Sequence, residues 1–162
     1  MTQSVPPAFC RPDPSTPIRI GARSVFSRTI TQADLALYAG ITGDFAPHHV
    51  NTEYAKRTRF GTTIAHGLLT ASLVDGALAA LFPQGSLSVR RELRFTAPAR
   101  PGDTITATAE IVEVEEAGPV VTLTTMCTNQ QGEVVVSGTA TERIPLSENR
   151  FVPTPAPRDT RS

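Results

Sequence analysis

Residues 66–82 read HGLLTASLVDGALAALF, a stretch that is apolar almost all round when wound as a helix. Such a helix is surrounded by other structure rather than lying on a surface. A membrane span over Ala65–Phe82 is the competing reading, but the run carries His66, Thr70, Ser72 and Asp75 and is rich in Ala and Gly. Those residues suit a buried helix of a soluble protein better than a lipid-facing one. After Pro83 the pattern turns to period two and stays there. Strands are expected over Leu87–Phe95, Thr104–Glu116, Val120–Asn129 and Val134–Ile144, with turns at Pro101-Gly102-Asp103, Ala117-Gly118-Pro119 and Gln130-Gln131-Gly132. The last three strands are long and joined by short turns. A parallel connection needs a crossover of about a dozen residues, so they form an antiparallel meander. One buried helix with a large antiparallel sheet wrapped around it is an α+β layered fold.

On the N-terminal side, Ser24–Ile30 alternates weakly and reads as a first strand. Thr31 followed by Asp34 is a helix start, and a short helix is expected over Gln32–Thr42 with Leu35, Tyr38, Ala39 and Ile41 as its packing side and Gly43 as its stop. Thr52–Lys56 reads as another helical turn. With 162 residues and 40% hydrophobic content, the chain is one ordinary globular domain. The Pro-rich residues 1–19 read as a flexible arm, 20–146 as the domain and 147–162 as a flexible tail. Fifteen residues of each sign give a net charge of zero, so neither a nucleic-acid footprint nor a membrane-binding polybasic patch is expected. Cys10 and Cys127 make neither a disulfide framework nor a metal-ligand spacing, and the default compartment is a reducing cytoplasm. The N-terminus lacks the basic start and apolar core of a signal peptide. No glycine-rich loop for a dinucleotide or a nucleotide triphosphate is present, so no metal or redox cofactor is expected.

Chemistry concentrates in residues 43–67, GDFAPHHVNTEYAKRTRFGTTIAHG. Asp44 and His49 are separated by Pro47, which assigns them to a turn or loop rather than to one helical face. Loops held on a scaffold are a usual place for catalytic groups. Taken singly, each has an ordinary role: Asp44 as a turn or cap residue, His49 as a structural histidine. His48 points away from His49 if the segment is extended. Asp75 is a lone carboxylate in an apolar helix and needs a partner, water or ligand. It is read as paired with Arg90, Arg91 or Arg94, as exposed at an interface, or as lining an acyl pocket.

The loop, its continuation to Leu73 and the later run LRFTAPARPGDTITATAEI together resemble the MaoC-like dehydratases and (R)-specific enoyl-CoA hydratases over roughly residues 20–145. That resemblance implies the hot-dog fold, a long central helix wrapped by an antiparallel sheet. The family pattern D-x-N-P-x-H is matched by Asp44, Pro47 and His49, and F-G-x-x-I-A-H-G by Phe60, Gly61, Ile64, Ala65, His66 and Gly67. The implied reaction is reversible hydration of a trans-2-enoyl thioester to an (R)-3-hydroxyacyl thioester. Asp44 and His49 would hold and activate water, and the Gly67 N–H would polarise the thioester carbonyl. One carboxylate and one imidazole can supply the base and the acid that hydration requires.

Ala46 stands where the family usually has Asn, removing a side chain able to hydrogen-bond in or beside the water site. The resemblance sets Ala46, Pro47 and His66 beside the substrate, with His66 as a helix-start residue positioning Gly67. Lys56, Arg57 and Arg59 follow the loop closely and are read as candidates for the phosphates of coenzyme A, or as a solvated face. Coenzyme A or a carrier-bound phosphopantetheine is part of the substrate, and a homodimer is implied, in fatty acid or polyketide metabolism. A hot-dog thioesterase, and a non-catalytic acyl-thioester binder or heterodimer partner, are the alternative classes.

Overall fold

The computed structural model describes residues 18–115 and 120–145. In chain order the elements are β1 (Arg23–Thr29), α1 (Gln32–Thr42), α2 (Pro47–Val50), α3 (Thr52–Ala55), α4 (Gly67–Leu81), β2 (Leu87–Phe95), β3 (Thr104–Val114), β4 (Val120–Thr128) and β5 (Val134–Arg143). The strands form one antiparallel sheet in the order β1-β3-β4-β5-β2. The expected meander is β3-β4-β5, and α4 packs across the sheet.

Period-two burial makes this arrangement. Ile105, Ala107, Ala109 and Ile111 of β3, with Val121, Leu123 and Cys127 of β4, turn inward. They meet Leu73, Val74, Leu78 and Leu81 of α4 in one core. Each such aliphatic side chain contributes about 1.5–3 kcal/mol when fully buried. Close approach of α4 to β1 depends on Gly76, where a Cβ would lie 2.6 Å from the Phe26 ring. On the opposite face of the sheet, hydroxyls pair across β1 and β3: Ser27 with Thr106 at 2.9 Å and Thr29 with Thr104 at 2.8 Å.

Local chemistry sets the ends of α1. Thr31 and Asp34 make a reciprocal capping box, and Gly43 closes the helix at φ 75°, a left-handed conformation that favours glycine. The packing side differs from expectation at one residue. Leu35 and Ala39 are buried, but Ile41 is 82% exposed, because it falls on the opposite side of the helix.

The expectation that α4 is enclosed on every side is corrected as well. Leu68, Ser72, Asp75 and Ala79, spaced by four, three and four, form an exposed stripe, because a single sheet covers only one side of a helix. Asp75 is therefore not a buried carboxylate. Its side chain is 67% exposed and pairs at 2.9 Å with Arg91, which also reaches the buried Glu142 at 2.9 Å.

β2 is largely exposed on both faces. Ile18, assigned by sequence to the arm, is 2% exposed and belongs to the core. Residues 1–17 with Cys10, Glu116 and the 117–119 turn, and the 147–162 tail lie outside the described residues. No helix among the described residues is long and apolar enough to cross a membrane.

Candidate active site

Three chain segments converge at one end of α4. Gly43 ends α1 and releases the chain into Asp44, whose Oδ1 accepts the N–H of Ala46 at 3.1 Å. This Asx turn fixes the carboxylate. Pro47 then occupies the first turn of α2, a position where its missing N–H costs nothing. The short helix carries His49 inward to 7% exposure, while Asp44 stays half-exposed.

A two-way clamp holds α2 to the chain before α4. Ile64 N–H donates to the His48 carbonyl at 3.1 Å, and the Ile64 carbonyl lies 2.8 Å from His49 Nδ1. A carbonyl only accepts, so Nδ1 carries the hydrogen and Nε2 presents a lone pair. That lone pair faces Asp44 Oδ2 at 3.9 Å. Burial lowers the His49 pKa below its ordinary 6.5, with His66 and His48 acting in the same direction and the Ile64 carbonyl and Asp44 opposing them. The imidazole is therefore a neutral base at neutral pH.

Two acceptors 3.9 Å apart do not bond each other, but both are within reach of one water. Arms of about 2.8 Å meet at the water oxygen at roughly 90°, near the angle between its hydrogens. The donor atoms of Asp44, His49 and His66 lie within 4.8 Å of one another. Two ligands on one zinc ion sit closer, about 3.3 Å apart for bonds of about 2.05 Å, so this spacing suits a bridging water better than a metal.

A cavity of about 450 Å³ opens beside the dyad, within the size range of small-ligand sites. His49, Arg59, Gly67, Thr70, Phe95 and Val136 are among its lining residues. Gly67 is the first residue of α4, where backbone N–H groups have no intrahelical partner and the helix dipole favours negative charge. The Phe95 ring occupies the space a side chain there would need, 2.8 Å from a Cβ built on Gly67.

Of the residues expected from sequence, His49, Gly67 and Arg59 line the cavity, while Asp44 and His66 adjoin His49 without being part of the wall. The structure does not bring the others to the cavity wall. Ala46 and Pro47 shape the start of α2, Lys56 is tied to Glu53 at 2.7 Å, Arg57 lies on the surface, and Asp75 sits on the exposed stripe of α4. His48 does not point away from His49: the segment is helical rather than extended, and the two ring centroids are 4.1 Å apart. Sequence reading missed the Ile64 carbonyl and Phe95. The first acts through its backbone and leaves no side-chain signal, and the second ends a strand whose pattern says nothing of its neighbour across the fold.

The MaoC like domain matches residues 17–131 of this chain. The chain is 40% identical over 129 residues to an (R)-specific enoyl-CoA hydratase of Rhodospirillum rubrum, covering 79% of this chain and 89% of that protein. It is 34% identical over 132 residues to a 3-hydroxybutyryl-CoA dehydratase of Methylorubrum extorquens, covering 81% and 83%. Among solved structures, the (R)-hydratase from A. caviae involved in PHA biosynthesis matches with a TM-score of 0.76 at 34% identity, covering 79% of this chain and 98% of that one.

Proposed function

The chain belongs to the MaoC-like family, and from that premise we propose that it hydrates trans-2-enoyl thioesters reversibly to (R)-3-hydroxyacyl thioesters. The observation that carries this reading is the pair of facing acceptors, His49 Nε2 and Asp44 Oδ2, beside a cavity that also holds the start of α4. A water donating one hydrogen to each acceptor keeps its oxygen lone pair free to attack C3. As the C3–O bond forms, the π electrons move toward the thioester carbonyl, where the Gly67 N–H and the α4 dipole offset the growing charge. The dyad takes one proton from the water and a proton is delivered to C2, so hydroxyl and hydrogen are added and the protein is regenerated.

The substrate is an acyl chain on coenzyme A or on a carrier-bound phosphopantetheine. Arg59 at the cavity supports the phosphate role, and its guanidinium stacks 4.9 Å from the Phe60 ring centroid, which holds it in place. The protein acts as a homodimer. Supporting this, β2 is an edge strand largely exposed on both faces, with Leu87, Val89 and Phe95 all more than half exposed. A reducing cytoplasm fits the buried free thiol of Cys127.

Incubation with crotonyl-CoA tests the reaction. Loss of the conjugated enoyl absorbance without release of free thiol is expected, and the loss disappears in Asp44→Asn and His49→Ala. Thiol release would make the protein a thioesterase instead.

A further inference from the structure

His66 occupies the N-cap of α4 but makes no side-chain bond to the helix it precedes. Residues at this position ordinarily turn an oxygen back onto the first free N–H groups. Here the ring turns the other way. It is 3% exposed, and its Nε2 lies 3.0 Å from the Asp44 carbonyl oxygen. The carbonyl only accepts, so Nε2 carries a hydrogen. Its Nδ1 is buried with no partner among the described residues. An orphaned buried nitrogen is a cost to stability, and a serine or asparagine would cap the helix without it. The histidine is therefore placed for the loop, not for the helix.

Its ring also stacks on His49, with centroids 3.8 Å apart and planes 24° from parallel. Tyr38 of α1 covers it from 5.0 Å. The titratable groups around the stacked pair are thus Asp44 from the loop, His48 from α2 and Tyr38 from α1. One side chain touches the residue that carries the carboxylate, the ring that carries the base, and the backbone one step before Gly67.

We propose that His66 is a positioning residue that sets the separation between the water-holding dyad and the Gly67 donor. Conjugate addition works at both ends of the substrate at once, with water at C3 and the donor at the thioester oxygen. Those atoms are a fixed number of bonds apart, so the loop and the helix start must keep a fixed distance. The Nε2–H bond to the Asp44 carbonyl supplies that constraint, and the stacked face stops the His49 ring from tilting. This inference rests on the hydratase reading.

Steady-state hydration of crotonyl-CoA by the wild type, His66→Phe and His66→Gln tests it. Phe keeps a buried ring but has no donor; Gln keeps an N–H at a similar reach. A misplacement of about 1 Å costs on the order of a hundredfold, so His66→Phe is expected to lower kcat by about 10- to 100-fold with KM little changed. His66→Gln should recover most of that loss. His66→Ala, which admits water to His49, should move the acid limb of the kcat/KM profile upward. Imidazole nitrogen NMR of the wild type provides a readout that needs no variant, and His66 is expected to carry its hydrogen on Nε2. The proposal is overturned if His66 is found as Nδ1–H, or if His66→Phe keeps wild-type kcat and His66→Ala keeps the wild-type acid limb, the variants differing only in Tm. A wild type that shows the Nε2–H tautomer yet hydrates no enoyl thioester would count against the hydratase reading rather than against this hydrogen bond.

Discussion

Asp44 uses its two carboxylate oxygens for different tasks: Oδ1 closes the Asx turn onto Ala46, and Oδ2 faces His49. Asp44→Asn keeps the turn acceptor and removes the carboxylate charge from the dyad, so kcat should fall by about 10²–10⁴-fold while the far-UV spectrum and Tm stay unchanged. A fold-level loss would show that the carboxylate is structural. The His49 pKa, lowered by burial from 6.5, gives a second test. Because the active form is neutral, the acid limb of kcat/KM should lie below pH 6.5; a limb at or above it would contradict the burial argument. The same shift acts on stability. Between the folded and unfolded pKa values the unfolded chain binds more protons at His49, so stability rises with pH across that window. The pairing of Asp44 with His49 was legible in the sequence through the resemblance to the family pattern, since either residue alone reads as structural. The tautomer was not readable, because it is set by the Ile64 carbonyl fifteen positions along the chain.

Among the elements, α2 shows most plainly what sequence reading resolves and what it does not. Thr31, Asp34 and Gly43 mark the ends of α1 by chemistry confined to neighbouring residues. The four residues of α2 are too few for any periodicity, and Pro47 assigns the segment only to a turn or loop. Ala46 is the N-cap of α2 and offers no side-chain acceptor. Ala46→Asn should supply one and stabilise the protein by about 0.5–2 kcal/mol. At about 1 kcal/mol the Tm rises by roughly 2–4 °C, measurable by calorimetry. An unchanged or lowered Tm would mean that the residue at 46 does not act as a cap. In the sheet, Gly138 of β5 has no room for a side chain: a Cβ would lie 1.9 Å from the Glu92 carbonyl oxygen of β2. Gly138→Ala forces the backbones apart and should destabilise by more than the usual 1–3 kcal/mol of overpacking. Denaturant unfolding measures this, and a loss under about 1 kcal/mol would refute it. The alternation of the strands was legible; which strand is an edge and which glycine marks a close crossing depends on pairing between distant segments.

For the molecule as a whole, one sheet laid against one side of α4 leaves the other side of the helix and both faces of β2 in solvent. The sequence of α4 reads as enclosed, yet Leu68, Ser72, Asp75 and Ala79 are exposed in the single chain. An edge strand this open is a pairing surface. The mass in solution should accordingly be about twice 17.3 kDa by light scattering, and a single-chain mass at micromolar concentration would contradict the dimer. The central claim is that one water, held between Asp44 and His49, adds to C3 of an enoyl thioester. It is tested most directly by running the reaction in oxygen-18 water and fragmenting the product. One heavy oxygen is expected in the 3-hydroxyl of an intact (R)-3-hydroxyacyl thioester. Heavy oxygen in a free carboxylate, with the double bond retained, would contradict it.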